Sequence, residues 1–167
     1  MESLKARGCC RERQLEINNE NTESISYYFS SCAKLDSYNW LREVSDADIP
    51  EVVEVRFKNT RKSFYLNVNG LRLKRGDIVA VEASPGHDIG IVILAGEIVE
   101  KHRTNTKYDG DPEELKKVYR KAKPVDIDKW RKAIQLEEDA MLRSRKIAAD
   151  LGLNMKIGDV EYQGDNT

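Results

Sequence analysis

From residue 51 onward, apolar and polar positions alternate with a period of two, and that pattern predicts β-structure. In EVVEVRFK, residues 51–58, Val53, Val55 and Phe57 alternate with Glu54, Arg56 and Lys58. In SFYLNV, residues 63–68, Phe64, Leu66 and Val68 alternate with Tyr65 and Asn67. Asn69-Gly70 follows at once, and because both residues tolerate positive φ it predicts a two-residue hairpin turn. That register pairs Val68 with Leu71 and Leu66 with Leu73, and it sends Arg72 and Lys74 to the outer face with Asn67 and Tyr65. The runs DIVAVEA (77–83) and IGIVILAGEIVE (89–100) are nearly continuous in apolar residues, so they predict two or three further strands, central or buried on both faces. Short strands joined by tight turns over about 51–100 make a small curled sheet or barrel.

After TNTKYDGDP (104–112) the period lengthens. Pro112 in a first turn with Glu113 and Glu114 predicts a short helix over 112–122 closed by Pro124. A longer helix is predicted behind Asp126 as N-cap and runs to about Asp150, with Ile127, Trp130, Ile134, Met141, Ala148 and Leu151 near one face and Gly152 past its end. MKIGDVEY (155–162) reads as a last strand. One strand cannot satisfy its own backbone, so 126–163 is expected to be half of an α/β unit whose other half is missing, with a weakly protected strand. The fold class is α+β.

Residues 1–33 show neither period and read as a flexible leader, whereas KLDSYNWLREV (34–44) carries Leu35, Tyr38, Trp40 and Leu41 and reads as a docking segment. The expected organisation is a leader over 1–50, a β-rich barrel-like domain over 51–104, a partial second domain over 111–163, and a tail over 164–167.

Composition narrows the class. The chain has 167 residues, 40% hydrophobic and 34% charged, with a net charge of −1, enough for one medium or two small globular domains but no guide to a partner. No apolar run approaches the roughly 20 residues of a membrane span, and the first residues lack the apolar region of a secretory signal. The chain therefore reads as cytoplasmic, without membrane insertion. Three cysteines, Cys9, Cys10 and Cys32, lie in the leader; an odd number without an export signal argues against a disulfide framework and leaves free thiols or a metal or iron–sulfur site completed by other ligands.

His87 beside Asp88 in SPGHD (84–88) is the candidate for acid–base work. Neighbours in a turn do not orient each other as a catalytic dyad, no serine or cysteine nucleophile is placed to use the imidazole, and Pro85, Gly86 and Asp88 are all turn formers, so the turn reading is preferred. Gly90 marks a bulge or a close backbone approach. No phosphate-binding loop, HExxH or G-x-S-x-G motif occurs, and no catalytic residue is assigned.

Charge distribution says more than net charge. Arg56, Lys58, Arg61, Lys62, Arg72, Lys74 and Arg75 fall between residues 56 and 75 with no acidic residue among them, interleaved with Phe57, Phe64 and Tyr65. A second basic window over 116–132 holds Lys116, Lys117, Arg120, Lys121, Lys123, Lys129, Arg131 and Lys132 against Asp126 and Asp128. Such surfaces suit phosphate backbones or an acidic protein, and the alternative is a solvated sheet and helix face.

The order of these features resembles the polymerase-suppressor-protein C-terminal domain family, which includes the bacterial RicT/YaaT regulatory proteins. The resemblance rests on V-x-V-R-F-K, the Phe64-Tyr65 strand ending at Asn69-Gly70, G-D-x-V-x-V-E with glycines at 86 and 90, and L-x-M-K-x-x-D-V-E-Y, over about 52–163. It implies a non-enzymatic adaptor working in bacterial RNA processing with regulatory-complex subunits and an endoribonuclease, with RNA as a further partner and an iron–sulfur cluster in the complete complex. The family's cluster-binding cysteines lie in a half that would follow EYQGDNT, so no residue here inherits that role. A scaffold that binds only proteins is the second class.

Overall fold

A computed structural model describes residues 49–59, 61–105 and 114–164. Five strands, β1 (Val52–Arg56), β2 (Lys62–Leu66), β3 (Ile78–Glu82), β4 (His87–Ala95) and β5 (Val118–Lys121), form one antiparallel sheet in the order β2-β1-β4-β3-β5. Helix α1 (Ile98–Asn105) follows β4 and helix α2 (Pro124–Asp150) follows β5. The sheet curls until Leu66 at the end of β2 meets Lys117 ahead of β5 in a single parallel bridge. It is an open, curled sheet rather than a closed barrel.

The apolar runs are buried on both faces, as their lack of alternation predicts. Val53, Val55, Val79, Val81, Val92 and Val118 line the concave face with Phe57, Tyr65 and Leu73. On the convex face Ile78, Ala80, Ile89 and Ile91 pack under Ile127 and Trp130 of α2, while Val52, Phe64 and Leu94 pack under Ile98 and Val99 of α1. β5 and α2 lie in the segment 111–163 and share this sheet and core with the strands of 51–104. Gly90 is a close approach: a Cβ there would overlap Val55 and come 2.8 Å from Phe57 Cε1.

Several elements differ from the sequence expectation. The predicted hairpin at Asn69-Gly70 is absent, because Asn67 replaces its ladder: its side chain donates to Pro50 O and Leu71 O, both at 2.8 Å, and accepts from Leu71 N at 3.0 Å. Residues 118–121, expected in a helix, are a strand, since Val118 fills the concave core and β5 satisfies the free side of β3. Residues 98–100, expected to continue a strand, instead open helix α1: Gly96 at φ 89° ends β4, and Val99 N donates to its carbonyl. Pro124 opens α2 rather than closing a preceding helix, and Asp126 caps from the N3 position by accepting from Lys123 N at 2.7 Å. Gly152 ends the helix at φ 64°, as anticipated. Of the predicted helix face, Ile127, Trp130 and Ala148 are buried, but Leu151 is exposed. Residues 155–162 form no strand; side chains from the β1–β2 turn and α2 hold them.

Candidate nucleic-acid interface

Topology divides the first basic window into three groups. Arg56 is not outward as alternation suggested; it is 4% exposed, because β1 is covered on both faces. Tyr65 is likewise turned inward, 5% exposed and edge-on to Phe57. Lys62 is held to buried Glu54 at 2.8 Å, and Lys58 and Arg61, in the turn between β1 and β2, are engaged by carboxylates from α2, β4 and the C-terminal segment.

Arg72, Lys74 and Arg75 remain exposed on the loop after β2. The loop is built to present them. Leu71 and Leu73 pack into the concave core, which turns the intervening cations outward, and the Asn67 clamp fixes the entry. At the exit Lys74 N donates to Asp77 Oδ2 at 3.1 Å, while the same carboxylate oxygen lies 2.8 Å from Lys121 Nζ on β5. Asp77 is buried, and its carboxylate is shared between Lys121 and the backbone of the loop.

The curl of the sheet brings part of the second basic window beside this loop. Leu66 N donates to Lys116 O at 2.9 Å, and Asn69 Nδ2 donates to Tyr119 O at 2.7 Å. Tyr119 sits where the β3–β5 register skips from Ala80–Arg120 to Val81–Val118. Such an unpaired position re-aims a side chain, and Tyr119 is 42% exposed. Exposed Lys116 and Lys117 precede it. Cations from two strand ends and an exposed ring therefore share one rim of the sheet, which suits a phosphate backbone with a stacked base. Sequence reasoning named the cations of both windows but missed Tyr119, whose signal would have been a β-former between basic residues. The rest of the second window is dispersed: Arg120 pairs with Asp126, and Lys129 and Lys132 lie along α2.

The Arg120–Asp126 pair is well formed. The hydrogen bond from Arg120 is the main reason the Asp126 carboxyl sits below the usual carboxylate range, against a burial that raises it, and the same bond raises the Arg120 guanidinium. Asp88 is a structural acid, 2% exposed, accepting from Arg61 at 2.6 Å and from Ile89 N and Gly164 N, both at 2.8 Å. His87 opens β4 and SPGHD forms the β3–β4 turn, with Ala83 N bonded to Gly86 O. Cys9, Cys10, Cys32 and the docking segment 34–44 lie outside the described residues. Among the described residues no group of three or more His, Cys, Asp or Glu side chains is arranged to hold a metal ion. No helix among them is long and apolar enough to cross a membrane.

Residues 116–167 match the PSP1 C-terminal conserved region, so the matched part opens at Lys116 on this rim and takes in β5, α2 and the C-terminal segment. Over 114 residues the chain is 31% identical to the Stage 0 sporulation protein YaaT of Bacillus subtilis (strain 168), a match covering 68% of the chain and 39% of that protein. The two matches identify the chain as a YaaT/PSP1-like family member, and it spans about two fifths of the length of this relative. No solved structure matches it.

Proposed function

We propose that this protein is a non-enzymatic regulatory adaptor in bacterial RNA processing, working in a complex with an endoribonuclease, and that it contacts single-stranded RNA through the rim formed by Arg72, Lys74, Arg75, Lys116, Lys117 and Tyr119. The observation that carries the reading is the Asn69–Tyr119 bond, which joins two basic stretches remote in sequence around one exposed ring. Kinship with a protein named for sporulation supports a regulatory role over a catalytic one. A short fluorescent single-stranded RNA, titrated with protein over a series of salt concentrations, tests it: each phosphate contact contributes about −0.7 to the slope of log K against log salt. Affinity that is steep in salt and weakened by Tyr119→Ala supports the reading; absence of binding at low salt rejects it.

A second reading, a scaffold contacting only proteins, is favoured by Lys58 and Arg61, two cations of the same window that bind carboxylates within the fold. It predicts partner binding without measurable RNA affinity.

A further inference from the structure

Residues 153–164 leave α2 and cross the far end of the sheet with no strand pairing. They are held instead at points. Arg145 Nε donates to Ile157 O at 2.9 Å, Tyr162 N donates to Glu137 Oε1 at 3.2 Å, and Gly164 N donates to Asp88 Oδ1 at 2.8 Å. At Gly164 a Cβ would overlap the Ile89 side chain and lie 2.7 Å from its backbone nitrogen, so the segment ends on a contact only glycine fits.

Between these points Asp159 and Glu161 meet the turn joining β1 to β2. Lys58 Nζ donates to Asp159 Oδ1 at 2.5 Å and to Val160 O at 2.6 Å, and Asn59 Nδ2 donates to Asp159 Oδ2. Glu161 Oε1 accepts from Lys58 N and Arg61 Nη2, both at 3.0 Å, and its Oε2 accepts from Arg61 Nε at 2.8 Å. The two carboxylates, two residues apart, meet the same turn. Here one takes Lys58 and Asn59, and the other takes Arg61 and a backbone N–H.

The turn is positioned by contacts that do not involve this segment. The Arg61 guanidinium lies 3.8 Å above the Phe57 ring and bonds Asp88, and Phe57 N and Arg61 O are joined at 2.8 Å. Lys58 Nζ is 3.1 Å from Glu137, itself 6% exposed. Asp88 and Glu137 already balance the two cations. Recognition of 159–161 therefore rests on directed donors at fixed spacing rather than on a positive field, which selects for a carboxylate pair of defined separation.

We infer that the β1–β2 turn, through Lys58, Asn59 and Arg61, is a docking site for an acidic peptide of the form Asp-X-Glu, and that residues 159–161 occupy it in cis, open to displacement by the same motif on a protein partner. The hold is exchangeable in kind. Leu153 and Met155, which lead into the segment, are exposed, and ion pairs at a wet surface contribute little each. Tethering supplies an effective concentration of millimolar order, which a partner with additional contacts can exceed.

The test uses the whole chain with Asp159→Asn and Glu161→Gln, isosteric changes that empty the turn, and a fluorescent peptide copying residues 156–163. Anisotropy should show the peptide binding the emptied chain about tenfold or more tighter than wild type, whose own segment competes. The Asn/Gln form of the peptide should not bind, and adding Arg61→Ala to the emptied chain should abolish binding. If that triple variant unfolds, amide chemical shifts of Lys58 and Arg61 in the emptied chain report docking directly and should move with peptide. No binding to a folded emptied chain, equal binding to wild type, or unmoved Lys58 and Arg61 amides would overturn the proposal. So would concentration-dependent dimers of wild type that vanish in the emptied chain, since they would assign the segment to a second copy.

Discussion

Two groups of cations that are neighbours in sequence have different surroundings in the fold. At the turn end of β1–β2, Lys58 and Arg61 are surrounded by Asp88, Glu137, Asp159 and Glu161. At the other end of β2, Arg72, Lys74 and Arg75 stand exposed, and the acid nearest to them in sequence, Asp77, is buried against Lys121. Local composition does not distinguish the groups. What distinguishes them is which distant segment the topology delivers: an acidic segment from residues 159–161 to one end, and basic residues with an exposed tyrosine from 116–119 to the other.

That contrast depends on α2 and β5 staying on the sheet, so the most disruptive change is to remove their anchor. Trp130 is buried over Ile78, Ala80, Ile89 and Ile91, and Trp130→Ala should cost about 3–5 kcal/mol. A denaturant titration should show a lowered midpoint, with both ends of β2 losing protection together. Asp88→Ala acts on the turn end alone. It removes the buried partner of Arg61 and leaves the Ile89 and Gly164 amides without their acceptor, at a cost of about 1–3 kcal/mol. Faster amide exchange should be confined to Ile89, Gly164 and their neighbours while the loop at 71–75 is unchanged.

Acid should separate the two ends again. Asp159 is held below the usual carboxylate range: burial raises it, but hydrogen bonds from Lys58, Val160 N and Asn59 outweigh that. Asp126 is held low chiefly by Arg120. Folded-state values below the unfolded one stabilise the native state above about pH 4, and that contribution is lost as pH falls through the lower folded values. Exchange at Tyr162 and Gly164 should therefore quicken below about pH 4 before the sheet amides respond, and Asp159→Asn should blunt the early change.

How much of this was legible follows from how local each feature is. Burial of 77–83 and 89–95 on both faces could be read from their unbroken apolar runs, the body of α2 from its period, and the close approach at Gly90 from a glycine inside a strand. The loop after β2 was misread because Asn69-Gly70 is a strong hairpin signal, and nothing local reveals that Asn67 will take over the ladder's hydrogen bonds. β5 was hidden in a charged window whose Val-Tyr pair was outweighed by the surrounding Glu and Lys. The engagement of Lys58 and Arg61 could not be read at all, since their partners Asp159 and Glu161 lie about 100 residues away, and alternation put Arg56 outside because it carries no information about what covers the second face of a strand.

The smallest structural effect accompanies the most direct functional test. Arg72→Glu with Lys74→Glu changes two exposed side chains and should alter stability by no more than about 0.5 kcal/mol each. Measured against a short single-stranded RNA over a range of salt, wild type should bind with a steep slope of log K against log salt, and the double variant should bind more weakly with the slope flattened by about 1.4. Charge removal at Lys58 and Arg61 should leave that slope where it is. A double variant that binds RNA as tightly as wild type at low salt, with the same slope, would contradict the assignment of the exposed rim as the RNA-contacting surface.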